Sequence, residues 1–411
     1  MLRKLVLERF KSFEHAEMTF GPLTVVVGPN ASGKSNLRDA LRFLHGVSRG
    51  YALAEILGEK WGEGGVLQWR GIRGGLREAS FNNASSLALE IEYDTLGPSR
   101  ALKSTYRIEV GVGTISSGPQ VVRESLKVRG RFVFNTENIP HPSATHLRVR
   151  IDRQRLPITG LTRARPVLAQ LAEYPGVGRL AREKARAALN AFSSMRFLDL
   201  SPDAMRLPSI PGQVVLGDRG ENLSSVIQAI CTNPAHKRGM LQWVRELTPM
   251  DVVDFTFPTD QTGRVLVTLV EQGGRAVSAY SASDGTLRFL AMVAALLGPE
   301  SAQFYFFEEL ENGLHPTRLA LLLQLIEQQT AGGDVQVVAT THSAQLLGLL
   351  GPEARSHAVE SYRLEDTEST SLARLMDLPD AERIISEQGL ARLHASGWIE
   401  DAVEFSAPEA A

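Results

Sequence analysis

The segment Gly28-Pro29-Asn30-Ala31-Ser32-Gly33-Lys34-Ser35 has the residue types and spacing of a phosphate-binding loop. G-x-x-x-x-G-K-[ST] lets the backbone curl so that successive N–H groups converge on a polyphosphate at the positive end of the following helix. The expected nucleotide-binding set is Asn30, Ala31, Ser32, Gly33, Lys34, Ser35 and Asn36. Lys34 would reach the β- and γ-phosphate oxygens, and Ser35 would offer its hydroxyl to Mg²⁺, which takes hard oxygen ligands. ATP and Mg²⁺ are therefore the expected cofactors.

Three further segments carry chemistry. Phe304-Tyr305-Phe306-Phe307 runs into Glu308-Glu309, two carboxylates at the C-terminal end of an apolar strand, where open α/β sheets hold ligands. Alternation would send them to opposite sides: Glu308 to the metal through water, Glu309 to the attacking water as general base. A solvated strand end is the plain alternative for such a pair. Ser283 and Asp284 are N-cap types before helical spacing from Leu287 to Leu297, which stops at Gly298-Pro299. That helix start, with the hydroxyl of Ser283 and the amide of Gly285, would be a second phosphate-binding end, useful chiefly if it faces another subunit's γ-phosphate. A capped core helix is its plain alternative. His342 follows the apolar run Val335 to Thr340 and precedes Ser343, a helix-cap type.

These residues need strands that end at one edge and helices that begin there. Leu2 to Leu7, Leu23 to Val27, Leu87 to Tyr93, Tyr106 to Val112, His146 to Ile151, Val252 to Phe257, Val265 to Val270, Phe304 to Phe307 and Val335 to Thr340 read as strands. Helices are expected over Ser35 to His45, with Gly46 as its stop, over Gly178 to Phe192, and from Pro316, which suits a first helical position. At 411 residues, 43% of them hydrophobic and 22% charged, the chain can bury one large core. The longest apolar run, Phe289 to Leu297, is too short for a bilayer, and the N-terminus reads as a strand, so a cytoplasmic, non-membrane protein is expected. The single cysteine, Cys231, excludes an intramolecular disulfide and reads as a packing residue.

Together with the phosphate loop, the N-terminal Phe10-Lys11-Ser12-Phe13, the stretch Ser281-Ala282-Ser283-Asp284-Gly285-Thr286-Leu287-Arg288, the stretch Glu308 to Pro316 and Val337-Val338-Ala339-Thr340-Thr341-His342-Ser343 resemble, in order and spacing, the motif set of ABC-type ATPases of the SMC, Rad50 and RecF group. S-D-G-T-L-R, E-E-x-E-N-G-L-H-P and T-T-H-S are most similar to stand-alone bacterial ATPases of the AAA_15/AAA_21 and OLD-like class. The resemblance covers roughly 1–93 and 251–357. It implies an α/β, ABC-type P-loop NTPase fold, a mixed sheet with flanking helices, interrupted by an α+β insertion and free of a long coiled coil. It also implies a Mg²⁺-dependent ATPase that dimerises head to tail around ATP, with Ser283 and Gly285 completing the other subunit's site and His342, a catalytic residue beside Glu309, touching the γ-phosphate. Glu308 departs from the Asp usual at the metal position in transporters, and Leu310 stands where Pro is common. Gln68 is the candidate for the glutamine loop. Fewer than sixty residues follow His357, too few for the TOPRIM nuclease domain of OLD-class proteins.

The expected division is 1–95 as the N-terminal ATPase part, 96–250 as a basic insertion, 251–357 as the C-terminal ATPase part and 358–411 as an acidic helical tail. Charge is segregated along it: 14 Lys/Arg against 5 Asp/Glu from Val121 to Arg186, and 12 Asp/Glu against 4 Arg from Glu360 to Ala411. Arg148, Arg150, Arg153, Arg155, Arg179, Arg182, Lys184 and Arg186 make DNA a candidate partner through phosphate contacts; a solvated charged face is the alternative. The expected function is a RecF/OLD-like ATPase dimer acting in DNA repair or phage defence. The alternative is an ATP-dependent scaffold that holds or releases a separately encoded effector, a nuclease or toxin.

Overall fold

A computed structural model describes residues 1–95, 101–113, 118–137, 144–247, 251–364 and 367–406. Leu23–Val27 is buried at every position, as a continuous apolar run in a parallel sheet should be. It lies between the parallel strands Gln336–Thr341 and Val359–Arg363; Phe304–Phe307 and Met195–Leu198 extend the sheet on one side, and antiparallel Thr370–Arg374 closes the other. Alternation divides its side chains between two cores. Val26, Phe304, Phe306, Val338 and Val359 face one, and Val25, Val27, Tyr305, Phe307, Val337 and Ala339 face the other.

The first core is shared with the helix Lys34–Ser48 and with an eight-stranded antiparallel sheet, ordered Ile158–Thr162, His146–Ile151, Arg131–Thr136, Gln120–Val128, Leu102–Gly111, Ser86–Thr95, Leu2–Phe10, Phe13–Thr19. One face of this sheet is apolar, with Leu5, Leu89, Tyr106, Ile108 and Leu126 buried; on the other, Arg107 grips both carboxylate oxygens of Glu8 at 2.8 Å. The second core gathers the helices Asp284–Leu297 and Pro316–Thr330 and a small sheet of Val252–Thr256, Thr268–Glu271 and Ala276–Ser278.

This is the mixed α/β P-loop ATPase architecture anticipated from the motifs. Among the described residues no helix exceeds 15 residues, and none is long and apolar enough to cross a membrane. Three local expectations need correction. The stretch 96–250 is not set apart from the ATPase parts: its strand Leu102–Gly111 pairs in register with Ser86–Thr95 and its further strands to Thr162 continue the same sheet, and its Met195–Leu198 is the edge strand beside Phe304–Phe307. The segment after 358 is not wholly helical, because Val359–Arg363 and Thr370–Arg374 form a hairpin of the parallel sheet before the helices Ala381–Gln388, Leu390–Ala395 and Trp398–Ser406. Gly46 does not end its helix. It lies inside Lys34–Ser48 where a Cβ would strike Ile56, so its small size serves close packing. Cys231 is half-buried against the core, and burial pushes its thiol up to about 11, in keeping with packing.

Candidate active site

Parallel register brings the ends of several strands to one edge. Val27 pairs with Thr341, Ala339 with Phe307, and Val27 also with Glu360, so Gly28, His342, Glu308 and Ser361 leave neighbouring strands side by side. In the loop, Gly28 has φ 151°, Ala31 φ 65° and Gly33 φ 96°. A Cβ on Gly28 would run into the carbonyl oxygen of Ser361, and one on Gly33 would meet the side chain of Thr370. Glycine is required at both on two counts, backbone conformation and space. Lys34 opens the helix and donates from Nζ to the carbonyls of Gly28 at 2.6 Å and Pro29 at 2.7 Å. Burial lowers the pKa of its ammonium, and the charges of Glu360, Glu309 and Glu311 act the other way.

The turn between the first two strands braces this loop from outside the sheet. Phe10 and Phe13 of F-K-S-F are fully buried and paired, leaving Ser12 at the turn. Its hydroxyl accepts from Nδ2 of Asn36 at 2.7 Å and from Thr370 Oγ1 at 2.9 Å.

Glu308 turns towards the loop, where its Oε1 accepts from the hydroxyl of Ser35 at 3.2 Å. A serine hydroxyl and a carboxylate at a phosphate loop are a hard-oxygen donor pair of the kind Mg²⁺ takes alongside substrate phosphates and water. Among the described residues no cluster of three or more His, Cys, Asp or Glu could hold a metal. Glu309 diverges from Glu308 by a route the sequence did not show. The strand ends at Phe307, and Glu309 takes φ 48°, its N–H donating to Thr340 Oγ1 at 3.0 Å and its Oε2 accepting from Asn312 at 3.1 Å. Tertiary hydrogen bonds hold that left-handed conformation, which a non-glycine residue adopts only at a cost. Leu310 is fully buried, with its N–H on the carbonyl of Thr340.

His342 is half-exposed, and its backbone N–H donates to Glu311 Oε1 at 3.0 Å, with its Nδ1 3.4 Å from the same oxygen. Ser283 caps the helix Asp284–Leu297 by accepting from the N–H of Thr286 at 3.2 Å. Gly285 lies in its first turn, where a Cβ would strike the carbonyl of Gly313. Arg206 pins this helix start through Asp284 at 2.5 Å and the carbonyl of Ala282 at 3.1 Å. Lys34, Ser35, Glu308, Glu309 and His342 are thus brought to one edge. Among the described residues no hydrogen bond or ion pair joins Ser283 or Gly285 to the loop. Gln68 is exposed in the hairpin of Glu59–Trp61 and Leu67–Arg70, against Gly62.

Sequence reasoning missed several participants. Arg73 and Arg38 both lie on Glu308, Ser361 donates to the carbonyl of Ser32, and Glu360 is buried beside the loop with neither carboxylate oxygen hydrogen-bonded. Only Arg38 carried a readable signal, one helical turn after Lys34; the others reach the loop through tertiary contacts.

The family described as "AAA domain, putative AbiEii toxin, Type IV TA system" (AAA_21) matches residues 23–95 and 172–348, more than half of the chain. An ATP/GTP phosphatase of Helicobacter pylori is 22% identical over 357 residues, covering 85% of this chain and 87% of its own length. The chromosome partition protein Smc of Halothermothrix orenii is 43% identical over 63 residues, 14% of this chain and 5% of that protein. A crystal structure of an Smc head bound to the C-terminal winged-helix domain of ScpA superposes with a TM-score of 0.52 at 14% identity, covering 90% of this chain and 97% of that one. With a phosphate loop at the edge of its parallel sheet, the chain belongs to the AAA_21 family.

Proposed function

We propose that this chain binds ATP with Mg²⁺ and hydrolyses it to ADP and phosphate, as a dimer in which each copy completes the other's site. The observation that carries the reading is the convergence of Ser35 and Glu308, 3.2 Å apart, at the start of the Lys34 helix, with Glu309 next in the chain. When bound, Mg²⁺ supplies charge neutralisation at the β- and γ-phosphates. The loop amides and Lys34 hold the phosphates; Glu309, oriented by Asn312, takes the proton from water as its oxygen bonds to the γ-phosphorus and the bridging O–P bond breaks. His342, fixed by Glu311, presents its ring to the γ-phosphate side.

The dimer reading draws on the signature helix. Ser283 and Gly285 start a helix with no hydrogen bond or ion pair to their own loop among the described residues, and Tyr280, three residues before, is 56% exposed, apolar surface of the kind that a second copy would cover. ATP held between copies makes association follow nucleotide and release follow hydrolysis, a switch by differential affinity. The test is nucleotide binding by Lys34→Ala: loss of ATP affinity with the fold intact is expected, and retained affinity would refute the loop assignment.

What hydrolysis serves is proposed as DNA-associated work, by likeness to the Smc relatives. Several arginines of the basic middle are already compensated, Arg148 and Arg150 both by Glu137 at 3.2 and 2.7 Å and Arg179 by Glu183 at 3.4 Å. The family description, which names a toxin–antitoxin system, favours a second reading, an ATP-held scaffold for a separately encoded effector. Stimulation of ATPase rate by duplex DNA, lost at high salt, supports the first; co-purification of the neighbouring gene's product, with release on nucleotide change, supports the second.

A further inference from the structure

Two guanidinium groups converge on Glu308. Nη2 of Arg73 lies 2.5 Å from Oε1 and 2.8 Å from Oε2, gripping both oxygens, and Nε of Arg38 stands 3.6 Å from Oε2. Glu308 keeps 12% of its side-chain surface exposed, and so does Arg38, whereas Arg73 keeps 48%. The carboxylate proposed to receive a divalent cation thus already carries a cation of the protein's own, on the side open to solvent.

The backbone of Arg73 is held by buried neighbours, while its side chain is half-exposed. Its N–H donates to Asp39 Oδ2 at 3.3 Å, and its carbonyl accepts from Lys11 Nζ at 2.6 Å. Lys11 and Asp39 are themselves a buried ion pair at 3.0 Å, with 6% and 1% of their side-chain surfaces exposed, so the anchor is rigid. Past Asp39 and Lys11 only the half-exposed arginine side chain is left to move, with Gly74 and Gly75 following it at φ 72° and 58°.

We infer that Arg73 is a resident counter-ion of the metal site, competing with the divalent cation for Glu308 and released from it when metal and nucleotide bind. A carboxylate cannot give the same lone pairs to a guanidinium nitrogen that bridges both its oxygens and to a metal or its water at full strength, so the two cations exclude each other. Arg38, more buried and more distant, stays and compensates Glu308 in both forms. Metal loading is thereby written on the protein surface as a freed guanidinium at position 73. This rests on the metal role proposed for Glu308.

The test is Mn²⁺ binding in the presence of ADP, followed by loss of the free-Mn²⁺ electron paramagnetic resonance signal, a readout independent of turnover. Arg73→Gln should tighten the apparent Mn²⁺ affinity by roughly five-fold over the parent. Arg77→Gln, an equal charge change at an exposed neighbour, should leave it unchanged. Unchanged or weaker Mn²⁺ binding in Arg73→Gln overturns the inference, and so does an equal gain in Arg77→Gln, which would make the effect long-range charge alone. Glu308→Gln separates this from the underlying reading: parental Mn²⁺ affinity there sinks the metal role of Glu308 itself, whereas loss there with no gain in Arg73→Gln sinks only the competition.

Discussion

The hydroxyl of Ser361 donates to the carbonyl oxygen of Ser32 at 2.6 Å, a buried hydrogen bond across 329 residues of sequence. The carbonyl of Ser361 meanwhile faces Gly28 so closely that no Cβ fits between them. One residue of the late strand Val359–Arg363 therefore holds the phosphate loop at two points, its first glycine and Ser32. Ser361→Ala leaves a buried carbonyl without its donor and should cost about 1–3 kcal/mol. Gly28→Ala should abolish nucleotide binding through φ and through space. Thermal melts with and without ADP check both, and a Gly28→Ala protein that gains the parental nucleotide shift would contradict this account of the loop.

Glu309→Gln keeps the hydrogen-bonding shape that Asn312 and Thr340 hold but removes the proton acceptor. Its kcat should fall by about 100-fold or more while ATP still binds. Dimer should then accumulate with ATP in light scattering. Parental turnover would place the base elsewhere.

Ser283→Arg puts a long cation at the helix start that Arg206 already pins through Asp284. Each monomer should bind nucleotide as before, because no bond joins Ser283 to its own loop among the described residues. ATP-dependent dimerisation should disappear in sedimentation, and an undiminished dimer population would dispose of the shared-site reading.

Glu360 sets a pH dependence of stability. Burial first, then repulsion from Glu400, pushes its carboxyl up to about 8, against the pull of Lys34, from an ordinary value of 4.5. Between those values the unfolded chain gives up a proton that the folded chain keeps. The contribution to stability is full below about pH 4.5 and is lost as pH rises through about 8. Glu360→Gln should flatten this slope and melt roughly 5 °C higher than the parent at pH 8. Parallel melting curves across the window would show that Glu360 is not the group responsible.

The parts of the site legible in the sequence were those whose residues sit next to one another. The phosphate loop, the strand Phe304–Phe307 and the cap at Ser283 each declare themselves within a dozen residues, because strand, turn and helix signals are local. Glu309 was misjudged in conformation: alternation assumes that the strand continues, whereas the chain takes a left-handed turn at Glu309, two residues past its end, where Thr340 holds its N–H. Arg73, Glu360 and Ser361 were invisible, since exposed-looking polar residues on other segments gain meaning only once strand order is known. The same holds for the strands to Thr162. Their alternation was readable, but the pairing of Ser86–Thr95 with Leu2–Phe10, which ties them to the N-terminal strands, is a long-range choice that no periodicity encodes.

The eight-stranded sheet and the edge strand Met195–Leu198 together decide how this chain can be rearranged by recombination or by engineering. A cassette cut out between Thr95 and Met195 would bare the whole length of Ser86–Thr95, a sticky margin that invites aggregation. A cut extended past Leu198 would also remove the carbonyl that accepts from the N–H of Glu308 at 3.2 Å. The middle of the sequence is thus not cargo but part of the chassis, and variants that exchange it should inherit a changed sheet edge at Glu308 along with any new surface.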